Sequence, residues 1–145
     1  MSNPPDRILQ WLRIILVLIA AFHLIIGSGL MFSTRFQMWS VALYGAQISW
    51  DESTIYFLRI IGSFAFVLGF LATMASRDPL KHQIVVVGFI GFFVLRNISR
   101  YLYSDELYAG FNISPLANDI TAAFFGLQAL LLALLLWKLN RRDNE

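Results

Sequence analysis

From Ile14 to Phe32 the chain carries no Asp, Glu, Lys or Arg, and His23 is the sole ionisable side chain in that run. A helix rising 1.5 Å per residue needs about 20 apolar residues to cross the roughly 30 Å hydrocarbon core of a bilayer. Inside lipid every backbone N–H and C=O must find an internal partner, so a run of this length is expected to be a helix. Two further uncharged runs, Ile60 to Ser76 and Ile120 to Trp137, repeat the pattern. Charged residues make up only 14% of the 145, whereas soluble domains carry about 25%. The expected fold is therefore one all-α integral membrane domain over residues 1–145, an antiparallel bundle with four transmembrane helices at about 10–33, 53–76, 82–103 and 115–138.

Local signals set these bounds. Ser53, after Asp51 and Glu52, reads as the cap of span two, and Arg77-Asp78-Pro79 ends it. Span three is apolar from Gln83 to Leu95 and reaches full length only by including Arg96, Asn97 and Arg100 on the way to Tyr103. Ser114-Pro115, a cap followed by the favoured first-turn proline, opens span four, and Lys138, Arg141 and Arg142 close it. Arg7 and Arg13 ahead of the first run resemble the start of a signal peptide. That run is too long for the apolar region of such a signal and lacks a small-residue cleavage site, so span one is expected to be retained.

Short loops rich in Lys and Arg stay in the cytoplasm. With four spans, Arg7, Arg13, Arg77, Lys81, Lys138, Arg141 and Arg142 all fall on one side, against Arg35 alone in the opposite loops. Both termini are expected to be cytoplasmic. The inner turn from Arg77 to His82 is short and makes spans two and three neighbours. The outer connections are longer and aromatic: Phe36 to Trp50 carries Trp39, Tyr44 and Trp50, and Tyr101 to Ile113 carries Tyr103, Tyr108 and Phe111. The first reads as a segment lying in the interface, with room for a short helix; interfacial anchoring is favoured over a lid across the bundle. Leu58-Arg59-Ile60-Ile61 echoes Leu12-Arg13-Ile14-Ile15, a match that composition alone explains.

Ionisable side chains inside spans are costly, which makes them the default functional candidates. Arg59 lies about 9 Å along span two from Ser53, Arg96 about 10 Å below Tyr103, and Asp119 about one turn below Ser114. Arg96 and Arg100, at a spacing of i, i+4, share one face with Ser99 and Tyr103 nearby. The candidate site is a polar pocket in the outer half of the membrane, built from Arg59, Arg96, Arg100 and Asp119, with Asn97 and His23 as further ligand-binding candidates. Three readings stay open, the last of them an ion or proton pathway. Arginines near helix ends snorkel or lock the bundle through ion pairs. Alternatively, their excess charge receives a lipid phosphate, a fatty carboxylate or a quinone, whose oxygens match guanidinium donors.

His23 by itself reads as a structural histidine, because a lone His in a helix usually hydrogen-bonds a neighbouring backbone carbonyl or hydroxyl; a two-histidine haem has no partner at matching depth, since His82 sits at the opposite end. No catalytic residue or metal set is expected: the zero cysteines remove thiolate chemistry, and neither a Glu-x-x-His nor a His-Glu-x-x-His pattern occurs. Asn112-Ile113-Ser114 matches a glycosylation sequon, a three-residue pattern of little weight. Gly62 and Gly69 with Ala65 and Ala72, and Gly88 and Gly91, read as small-residue stripes that let helices approach closely.

The arginine early in span two within Leu58-Arg59-Ile60-Ile61-Gly62, the continuation to Gly69, the span-three arginine and the polar start of span four together resemble the BphX-like and DoxX-like group of small bacterial membrane proteins. The resemblance implies a four-helix protein of the bacterial inner membrane, and some DoxX relatives are associated with quinone-linked redox complexes. Without cysteine, a thiol-dependent version of that activity is in doubt here, and no catalytic residue carries over. The expected function is non-enzymatic: binding of a lipid, quinone or similar ligand, or service as an accessory subunit, with the bilayer, membrane proteins or further copies as partners and nucleic acid not among them. The rivals are a quinone-linked or lipid-modifying enzyme subunit and a small transporter.

Overall fold

The computed structural model describes residues 7–142, so residues 1–6 and 143–145 of the expected domain lie outside the described residues. Its elements are all helical: α1 (Arg7–Phe32), α2 (Thr34–Leu43), α3 (Glu52–Arg77), α4 (Gln83–Leu102), α5 (Ser104–Phe111) and α6 (Pro115–Arg142). Four of these, α1, α3, α4 and α6, are long and apolar enough to cross a membrane. The two longer, aromatic connections contain α2 and α5.

Polar caps define the helix ends. The α3 cap is Asp51, two residues before the expected Ser53: its carboxylate accepts the Thr54 N–H at 2.7 Å. A carboxylate is the stronger acceptor, and its charge is favoured at a helix N-terminus. Ser33 separates α1 from α2 and accepts from the Phe36 N–H, while Ser114 accepts from the Ala117 N–H at the start of α6. Asn112 ends α5 at φ 50°, a left-handed conformation that asparagine tolerates.

The helices pack as two close pairs. In the α1–α3 pair a Cβ added at Gly62 would lie 2.8 Å from the Gly27 carbonyl oxygen and 2.9 Å from the Met31 nitrogen, and one at Gly69 would lie 2.7 Å from the Leu24 nitrogen. Only glycine permits backbones to come this near. In the α4–α6 pair the ties are polar: Gln83 Nε2 donates to Asn140 Oδ1, Asn97 Nδ2 to the Ala122 carbonyl and Arg100 Nε to Asn118 Oδ1.

Aromatic contacts join the pairs, with the His23 ring 6.1 Å from Phe93 and 6.2 Å from Phe89, and Phe22 5.7 Å from Phe124. Gln37 fastens α2 over them. Fully buried, it donates to the Leu30 carbonyl at 2.6 Å and to the Ile55 carbonyl at 3.4 Å, linking the last turn of α1 to the first turn of α3. Gly88 and Gly91 depart from the expected close packing: a Cβ at either meets nothing within 4 Å. The reason is helical phase, since Val86, Phe89 and Phe93 take the core-facing positions of α4.

Candidate functional site

All six helices converge on a partly open cavity of about 290 Å³ inside the end of the bundle that carries α2 and α5. Its size lies at the small end of the range for ligand sites, roughly 300–1,000 Å³, and its walls are mostly apolar. Leu58 and Ile61 contribute from α3 and Phe125 from α6, while Tyr44, which caps the C-terminus of α2, and Leu107 of α5 close the end. Both short helices thus line a common cavity.

Two nitrogen-bearing side chains supply its distinctive polarity. The Arg96 guanidinium carbon sits 4.2 Å from the Phe125 ring centroid, in cation–π range. Stacked there, Arg96 keeps its Nε buried with no acceptor among the described residues. His23 is buried on α1, with Nδ1 2.8 Å from the Ile19 carbonyl oxygen. A carbonyl only accepts, so Nδ1 carries the hydrogen; in the neutral ring Nε2 is then a lone-pair acceptor. A ligand head in this cavity therefore meets a cationic donor and a neutral acceptor between apolar walls.

The sequence candidates separate into groups. Arg96 and His23 line the cavity together. Arg100, only 9% exposed, lies one turn beyond Arg96 on α4, does not line the cavity and engages Asn118. Asn97 is half-buried and ties α4 to α6, in space that Gly126 leaves open: a Cβ there would be 3.1 Å from Asn97 Nδ2. Arg59 and Asp119 are exposed and do not line the cavity; Asp119 accepts a long hydrogen bond from Tyr101 at 3.5 Å.

Asn118, Phe125 and Tyr44 were not among the candidates. Asn118 sits next to Asp119, and consecutive helical residues point about 100° apart, so only the rotation of α6 decides which of the two meets Arg100. Phe125 is one of many apolar residues in its span, and nothing in the sequence marks it as the platform for Arg96. No protein-family model, curated protein or solved structure matches the chain.

Proposed function

We propose that this protein is a small ligand-binding bundle of the bacterial inner membrane, with antiparallel spans and both termini cytoplasmic. The cavity holds the head of a membrane-borne molecule bearing an anionic or carbonyl oxygen, such as a lipid or a quinone. The basic residues at the α3–α4 turn and near the ends of α1 and α6 support the orientation. Kinship with the BphX-like and DoxX-like group belongs to the same proposal.

The observation that carries the binding reading is the buried Nε of Arg96 at an apolar cavity, with no acceptor among the described residues. Leaving a buried donor unmatched costs roughly 1–3 kcal/mol, and more for a charged group. A ligand oxygen would meet that donor. His23 adds an acceptor to the same space, which suits a head carrying a hydroxyl or a protonated acid beside its carbonyl. Among the described residues no carboxylate lines the cavity, and Asp119 lies outside it, so the features favour binding over a carboxylate-mediated proton path.

The test is purification of the full chain in mild detergent, followed by native mass spectrometry and analysis of the organic extract. A single class of bound amphiphile, reduced at least ten-fold in Arg96→Ala, is the expected result. A bound complement that does not change between wild type and Arg96→Ala overturns the reading. The exposed Gly88 and Gly91 on α4 favour a second role, packing against a helix of a partner subunit or another copy. Large subunits that co-purify with wild type and are lost in Gly88→Leu would support it.

A further inference from the structure

We infer a second, lipid-facing site on the outside of the bundle: the groove between α4 and α5 binds the phosphate diester of an anionic glycerophospholipid through Arg100. This groove of about 510 Å³ is distinct from the interior cavity, although Arg96 and Leu107 border both. Its polar end is formed by Arg96, Ser99, Arg100 and Tyr103, and its apolar part by Phe92 and Leu95.

Arg100 is the built part of the site. It is nine-tenths buried, and its hydrogen bond to Asn118 fixes the guanidinium by Nε alone. Nη2 is buried without an acceptor among the described residues. A guanidinium held at one nitrogen and open at another presents directed donors to an oxyanion, the geometry in which arginine recognises phosphate. Tyr103 and the exposed Ser99 place two hydroxyls at the same end, and among the described residues no carboxylate lines the groove. The charge is therefore complementary to an anion.

The apolar part fits the rest of a lipid. Phe92 to Tyr103 spans about 16 Å along the helix at 1.5 Å per residue, enough to run a stretch of acyl chain from its glycerol end. Leu95 is 65% exposed, so this face of α4 is free of other helices. At the helix end Arg100 and Tyr103 lie where headgroup phosphates and interfacial tyrosines are found together. A free phosphate shares the head chemistry but leaves the apolar wall unused.

Native mass spectrometry of the full chain in mild detergent, titrated with phosphatidylglycerol, with diacylglycerol of the same chains and with inorganic phosphate, tests this assignment. Saturable phosphatidylglycerol binding is expected to weaken at least ten-fold in Arg100→Gln and several-fold in Arg100→Lys. Ser99→Asp, on an exposed position, sets a carboxylate beside Arg100; it is expected to abolish binding without disturbing the α4–α6 contacts, so the test survives if Arg100→Gln fails to fold. Arg59→Ala, at an exposed position that lines neither the groove nor the cavity, is expected to leave phosphatidylglycerol binding unchanged, and retention of the co-purified cavity ligand in Ser99→Asp separates failure of the groove from failure of the cavity. Equal binding of diacylglycerol overturns the phosphate assignment, and inorganic phosphate binding as tightly as phosphatidylglycerol overturns the lipid one. Phosphatidylglycerol binding unaffected by Ser99→Asp overturns the site.

Discussion

Arg100 on α4 donates its Nε to Oδ1 of Asn118 on α6 at 2.9 Å, and both side chains are buried. The bond joins a charged donor to a neutral acceptor, so it orients the guanidinium without neutralising it. Asn118→Ala removes the acceptor and leaves Nε buried and unmatched, at an expected cost of about 1–3 kcal/mol. Asn118→Asp keeps the acceptor and supplies a counter-charge, so it is expected to retain stability while weakening anion binding in the groove. Reversible unfolding in mixed micelles measures the first effect, and lipid titration the second.

Gly62 and Gly88 should respond in opposite ways to a side chain. Gly62→Val forces α1 and α3 apart, because the nearest atoms include the Gly27 carbonyl oxygen and the Met31 nitrogen, which cannot turn aside. Overpacking of this kind costs about 1–3 kcal/mol. Gly88→Ala meets nothing within 4 Å and raises helix propensity, for an expected change between zero and about 1 kcal/mol of stabilisation. Unfolding midpoints of the two variants in one detergent give the comparison.

Ligand occupancy of the interior cavity should depend on Arg96 and His23 and be indifferent to Arg59. Arg59→Ala alters an exposed side chain that does not line the cavity, so bound-ligand mass spectra should match those of wild type. Ala65→Phe, which fills the cavity from α3, should displace ligand even with Arg96 intact. Retained ligand in Ala65→Phe would place the binding site elsewhere.

The start of α3 should weaken in acid. Hydrogen bonds from the Thr54 backbone N–H, the Thr54 side chain and Ser49 hold the Asp51 carboxyl below its ordinary range. A depressed folded-state pKa contributes stability above the unfolded value of about 3.9, and that contribution is lost as pH falls through the folded value. Asp51→Asn retains a capping oxygen but has no proton to take up. Its unfolding midpoint should therefore fall less than that of wild type between neutral and strongly acid pH.

The division between what was legible and what was not follows particular residues. The uncharged runs from Ile14, Ile60 and Ile120 predict spans that α1, α3 and α6 contain, and the Arg77–His82 turn predicts the break before α4. Ser114-Pro115 was readable as a helix start because its chemistry is local: the hydroxyl bonds a nitrogen three residues on. The structural bond of His23 was also local, since its acceptor lies one turn back. The i, i+4 pair Arg96 and Arg100 was visible as a stripe, but its partners were not, because Phe125 and Asn118 come from a helix whose rotation no local rule sets.

Span lengths, span number and helix ends were thus determined by the chain's own order of residues, through the bilayer's thickness and the need to satisfy every backbone group within each segment. Facing was decided only in three dimensions. On α6 the buried Phe125, Leu132 and Leu136 are no more apolar than the exposed Ile120, Leu127 and Leu134. In water a polar face would distinguish them; in a bilayer the hydrocarbon outside resembles the core inside, so hydrophobicity carries no record of which side meets another helix. Close packing at Gly27, Gly62 and Gly69 and the polar ties from Asn97 to the Ala122 carbonyl and from Arg100 to Asn118 choose the rotation, and with it the cavity and the groove.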